Sequence, residues 1–189
     1  MLELYNKVEQ FVVQSFEKKV DIEHSKRAVY WIKQLKPDAD EALLIAGIGH
    51  DIDRAFRKPQ ALGMPKLQAS GFTDKEFLRR HQDNSARIVA DFLEKQEASQ
   101  EMIGRVKMLV SKHEEGGNDA QDVLKDADSV SHFENCVELF LTEAVKEIGK
   151  DKVKQKFDWM YNRITSEKAK QIAKQWYEKA IKGLETRQK

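Results

Sequence analysis

The chain has 189 residues, 40% of them hydrophobic and 34% charged, with a formal net charge of +1. That length allows one domain with a real core, and the near-zero charge argues against a nucleic-acid or membrane-surface binder. With a single cysteine, Cys136, there is no internal disulfide, which fits a reducing, cytoplasmic setting.

The start MLELYNKVEQ lacks the basic-then-apolar order of a signal peptide, and no run approaches the ~20 apolar residues of a membrane span. Charge is spread unevenly: residues 151–189 hold 11 Lys plus Arg against 5 Asp plus Glu, whereas residues 1–150 hold 22 against 27. The basic segment reads either as a solvated helical face or as a surface that meets an anionic substrate.

Leu2, Tyr5, Val8, Phe11, Val12 and Phe16 recur at helical spacing and predict a first amphipathic helix. A second is expected from about Ile22 to Leu35, ended by Pro37, and a third, densely apolar, from Asp40 to about His50. Pro59, Gly63, Pro65 and Gly71 make residues 54–72 an ordered loop or lid. TDKE at 73–76 suggests a capping box with Thr73 as N-cap, opening a helix to about Glu94. Ser99 caps the next helix, expected to last until Gly116-Gly117; another runs from Ala120 to near Ile148, with a bend, and Gly149 stops it. Helices over 151–165 and 167–182 complete an all-α domain of about seven or eight helices.

Two polar residues, His50 and Asp51, follow the apolar stretch EALLIAG and need partners, because unpaired burial costs several kcal/mol. Gly47 and Gly49 on either side of Ile48 leave space for close packing there. His24, His81 and His113 also fall on or at the end of expected helices beside apolar positions. Ala28 and Ser85, one turn after His24 and His81, leave room for an ion, and KDADS at 125–129 adds carboxylates. Asp126 and Asp128 lie about 200° apart around a helix, so only one faces a shared centre. His132 reads as a surface residue or as one just outside such a centre.

The ordered set His24, His50-Asp51, His81, His113 and Asp128 resembles the HD superfamily of metal-dependent phosphohydrolases, over about residues 20–135. The resemblance implies a single HD-like helical domain spanning 1–189, with basic C-terminal helices at 151–189. It further implies that His24, His50, Asp51 and Asp128 bind a first divalent transition metal, while His81 and His113 hold a second bridged by Asp51. One-metal members instead use such histidines to line a phosphate pocket. Imidazole and carboxylate suit Fe, Mn, Zn, Co or Ni without selecting one. Asp128 is favoured over Asp126 as ligand.

The implied activity is hydrolysis of a small phosphoester or nucleotide-type substrate by a metal-activated hydroxide. The expected catalytic residues are Asp51, Asp53 and Arg54. Candidate substrate contacts are Arg27, Arg54, Lys58, Lys66, Lys156 and Arg163. Glu114 and Glu115 are acid/base candidates or a solvated turn, and Trp159, Tyr161, Trp176 and Tyr177 read as packing. IDRAF follows the His-Asp pair in place of a GYP-type segment, which gives no support to cyclic-dinucleotide hydrolysis. The same ligands would serve a mixed-valence di-iron oxygenase, or a non-catalytic module that keeps metal for stability. The expected partners are a small phosphorylated substrate and, at most, a second copy in a homodimer.

Overall fold

Residues 42 to 49 are buried on every side, the environment that a helix apolar all round requires. The structure, a computed structural model, describes residues 2–57 and 74–186, and among them it is helical with no strand. The helices are α1 (Glu3–Ser15), α2 (Lys19–Leu35), α3 (Glu41–Gly49), α4 (Asp53–Phe56), α5 (Lys75–Lys95), α6 (Gln100–Val110) and α7 (Asp119–Asn135). Then come α8 (Val137–Leu139), a π turn (Phe140–Ala144), α9 (Val145–Ile148), α10 (Lys150–Asn162) and α11 (Glu167–Thr186).

Helix α3 forms the axis: α1, α2 and α6 pack on it, with α5 and α7 touching it as well. Helix α2 lies along α7, which α11 also contacts, and α5 pairs with α6. Close approach depends on two glycines. A Cβ on Gly47 would stand 2.4 Å from Ile32 Cδ1, and one on Gly49 would stand 2.7 Å from Val89 Cγ2. Both separations are shorter than carbon atoms tolerate, so the expected role of these glycines as packing space holds. The interior is one apolar cluster drawing on every long helix, from Val8 and Val12 through Ile45 and Ile48 to Phe157 and Ala180.

Several boundaries differ from expectation. Helix α2 begins at Lys19, ahead of Ile22, because Val20 is the one apolar residue before Ile22 and sets no helical period by itself. The residue capping α5 is Asp74, whose carboxylate accepts from Phe77 N at 2.7 Å; Thr73 lies outside the described residues. Ser99 caps α6 as expected. Helix α6 stops at Val110, before the glycine pair, and residues 111–115 turn the chain inward. Gly116 then takes φ +77, where a side chain would be strained, and its Cβ would strike Asp122 Oδ1. Asn118 and Gln121 close a capping box at the start of α7. The bent helix expected up to Ile148 is broken at Cys136 and again by the π turn. Among the described residues, no helix is long and apolar enough to cross a membrane.

Candidate metal centre

Four helices and two turns deliver the six residues that stood out in the sequence. His24 comes from α2, His50 closes α3, Asp51 follows in the next turn, His81 comes from α5, His113 from the turn after α6, and Asp128 from α7. All six are buried, none exceeding 5% exposure. Nε2 of His24 and Nε2 of His50 lie 3.2 Å apart, with Asp128 Oδ1 at 3.1 and 3.5 Å from them. Asp51 faces both ways. Its Oδ2 lies 3.5 and 3.7 Å from the same two nitrogens, and its Oδ1 lies 2.7 Å from His81 Nε2 and 3.8 Å from His113 Nε2.

The donors fall into two groups, His24/His50/Asp128 and Asp51/His81/His113, with ligand atoms within 4.8 Å of one another in each. Nitrogen and oxygen ligands about 2 Å from a shared cation have this spacing. His113 Nε2 and Asp51 Oδ2 are buried without a hydrogen-bond partner, a cost that coordination removes. The residues therefore fit a metal ion, and the buried His/Asp groups of this chain could hold one.

The outer faces of the imidazoles explain why their Nε2 atoms point inward. His50 Nδ1 donates to Gly47 O and His113 Nδ1 donates to Val110 O, each at 2.8 Å. His24 Nδ1 lies 3.0 Å from Ser131 Oγ, whose hydroxyl donates to His24 O. His81 Nδ1 lies 3.1 Å from Asp53 Oδ2 and 2.7 Å from Arg57 Nη2. Such partners orient metal-binding imidazoles and select their tautomers.

Burial alone would raise the Asp51 carboxyl, but Arg54, His50, His24 and His81 hold it well below the usual range. Burial also opposes ionisation of Asp128, which Arg163 and the histidines outweigh, leaving it well below the ordinary carboxylate value. His24 is raised despite its burial, by Cys136, Asp128 and Asp51. His81 is likewise raised against burial, by Asp51 and Asp53. Burial dominates at His113, which is pushed down to about 4.

The basic candidates have separate fates. Arg54 Nη2 stands 2.9 Å from Asp51 Oδ2, off the hydrogen-bonding direction, and its side chain is 37% exposed. The side chain of Arg163, capping α10, is largely covered; it donates to Asp128 Oδ2, to Glu114 Oε2 and, at 2.8 Å, to Ser129 Oγ. It thus anchors two carboxylates, where the sequence suggested a substrate contact. Lys156 is buried nearby, pushed down to about 8 by burial, with Glu114 and Asp128 opposing that shift and Arg163 and Arg54 adding to it. Arg27 is tied elsewhere, pairing with both oxygens of Glu134 and lying over the Tyr30 ring. Lys58, Lys66 and most of the expected lid fall outside the described residues.

Asp53 was expected to be catalytic. Its carboxylate turns to His81 Nδ1 and Arg57, on the far side of that ring from Asp51. Glu114 is buried against Arg163, whereas Glu115 pairs with Lys112 in a half-exposed contact. Asp126 accepts from Thr165 N and Ser166 N at 2.8 and 2.7 Å, which fixes the turn that carries Arg163. His132 is not on the surface: it is 4% exposed and meets Phe133, Phe140 and Phe157. Tyr161 stacks on Tyr177, Trp31 meets Trp176, and Trp159 carries Lys156 and Arg163 over its ring, all consistent with packing.

Reasoning from the sequence missed Arg57 and Ser131. The i, i+4 spacing of Asp53 and Arg57 was the only local sign of the first. Nothing near Ser131 indicated that it would meet His24, 107 positions away.

Fold and site together define an all-α protein with a buried His/Asp centre able to hold a metal ion. The chain belongs to the family described as Domain of unknown function (DUF4202), whose model matches residues 6–183. No curated protein and no solved structure matches it.

Proposed function

We propose that this protein is an HD-type metal-dependent phosphohydrolase acting on a small phosphoester or nucleotide-type substrate. One observation carries the reading: Asp51 lies 2.7 to 3.8 Å from the Nε2 atoms of all four histidines, belonging to one buried ligand group and facing the other. The order of these residues along the chain resembles the HD superfamily. One or two bound transition cations (Fe, Mn, Zn, Co or Ni) would supply an activated water and neutralise charge at phosphorus.

The chain's own residues orient and shield. Arg54, partly exposed beside Asp51, holds a phosphate oxygen through its guanidinium fork. Arg163 occupies Asp128 Oδ2 and so leaves Oδ1 facing His24 and His50. The surrounding apolar residues keep bulk water from the carboxylates, which strengthens their attraction for a cation.

Protein purified without chelators is expected to carry one or two transition ions per chain by elemental analysis. It is expected to hydrolyse a member of a panel of phosphomonoesters and phosphodiesters, and His50→Ala to lose both ion and activity. Inactivity of metal-loaded protein on both ester classes, with His50→Ala keeping its ion, overturns the reading. Oxygen uptake with a polyol or a phosphonate would identify the di-iron oxygenase instead. A tightly held ion without either turnover would identify a metal-stabilised binding module.

A further inference from the structure

Three of the four imidazoles are held on their outer side by neutral groups, the carbonyls of Gly47 and Val110 and the hydroxyl of Ser131. His81 differs. Its Nδ1 lies 3.1 Å from the Asp53 carboxylate and 2.7 Å from Arg57 Nη2, while its Nε2 lies 2.7 Å from Asp51 Oδ1. A neutral imidazole has one proton, and arginine only donates, so these contacts cannot all be hydrogen bonds at once. In the neutral ring either Nδ1 accepts from Arg57 and Nε2–H donates to Asp51, or Nδ1–H donates to Asp53 and Nε2 is left with a free lone pair; in the protonated ring both nitrogens donate, to Asp53 and to Asp51. Only the neutral ring protonated at Nδ1 offers Nε2 to a cation.

Both partners are built in. Asp53 N donates to Ser85 Oγ, on the same helix as His81, which ties α4 to α5. Arg57 Nε donates to Asp53 Oδ2 at 2.7 Å, and the Phe77 ring lies under its guanidinium. Phe77 also stacks on His81, with ring planes 14° apart. The ring therefore stays in place whichever of its nitrogens carries a proton.

We propose that Asp53 is the positioning residue of the second cation: it receives His81 Nδ1–H whenever Nε2 faces the ion, so second-ion affinity is set separately from the first. This inference rests on the reading of the cluster as a two-ion centre. His24 and His50 lie beyond the influence of the Asp53–Arg57 pair because their outer partners are Ser131 and Gly47.

The test titrates the chelator-treated full chain with Zn²⁺ by calorimetry and reads the imidazole ¹⁵N shifts by NMR. Wild type takes up two ions, and His81 moves to the Nδ1-protonated form as the second binds. Asp53→Ala keeps the first affinity within about twofold and loses about 10–100-fold at the second, the usual range for such outer partners. Asp53→Asn, which retains a neutral acceptor, restores part of the loss. Equal second-ion affinity in Asp53→Ala and wild type overturns the proposal, as does loss of both ions in Asp53→Ala without recovery in Asp53→Asn. Uptake of one ion or none by wild type overturns the two-ion reading and the proposal with it.

Discussion

The body of α3 and the turn at its end are adjacent in the chain and equally buried, yet opposite forces govern them. Leu43, Leu44, Ile45 and Ile48 contribute through apolar area removed from water, at roughly 25 cal/mol per Å². His50 and Asp51 have polar atoms to satisfy, and around them lie the buried Asp128, Glu114 and Lys156 and the largely covered side chain of Arg163. Burying such charges gains little net stability even when they are paired. The contrast teaches that α3 is a rigid post whose stability is spent at its tip, holding groups that a simple core would leave out.

The largest expected effect is on binding at the tip. Asp51→Ala removes the carboxylate shared by both ligand groups and is expected to weaken uptake of every ion by at least about 100-fold, read by titration calorimetry. Unaltered uptake would break the picture of Asp51 as the shared residue.

Arg163→Met leaves Asp128 and Glu114 as buried carboxylates without their main counter-charge. It is expected to cost about 3–5 kcal/mol in denaturant unfolding, and a loss below about 1 kcal/mol would show that solvent already serves those oxygens. Ile45→Ala, in the apolar body, is expected to lose about 2–5 kcal/mol while leaving ion stoichiometry unchanged. A change in stoichiometry there would mean that post and tip are not separable.

Acid sharpens the comparison. The folded chain keeps His113 neutral down to about pH 4, whereas the unfolded chain protonates it near the ordinary value of 6.5. The unfolded state therefore gains protons first as pH falls, so stability present above about pH 6.5 is lost between there and pH 4. The full component is about 3 kcal/mol. His24 and His81, both raised, act in the opposite sense. Urea unfolding of chelator-treated protein at pH 7.5 and 4.5 should therefore show less stability at the lower pH, relative to the higher, in wild type than in His113→Leu; an equal change in both proteins would remove His113 from the account.

The smallest effect joins the two regions. In Gly49→Ala the new methyl meets Val89 Cγ2, a branched side chain with little freedom to move aside. A loss of about 1–3 kcal/mol is expected, together with weaker ion uptake as α3 and α5 separate. Normal uptake at reduced stability would show that the tip tolerates small shifts of its post.

Much of the fold was legible because helical periodicity is a local property. The apolar spacing in α1, the dense run in α3 and the cap at Ser99 all act within a few residues. The errors came where no local pattern exists: the early stop of α6 and the π turn after Cys136. The six residues of the centre were legible through their types and order, not through their contacts. Arg27 looked as suitable as Arg163 for a role at the site, since nothing near it in the chain announces Glu134 107 positions on.

By itself the sequence determined the helical class, the apolar post and the identity of the six His/Asp residues, since these depend on residue type and short-range spacing. The tertiary structure alone decided that Asp51 faces both ligand groups and that Arg163 serves Asp128 and Glu114. It also turned Asp53 outward to His81 Nδ1. Each of these contacts joins residues on different elements, and their distances are set by the packing of the helices against one another.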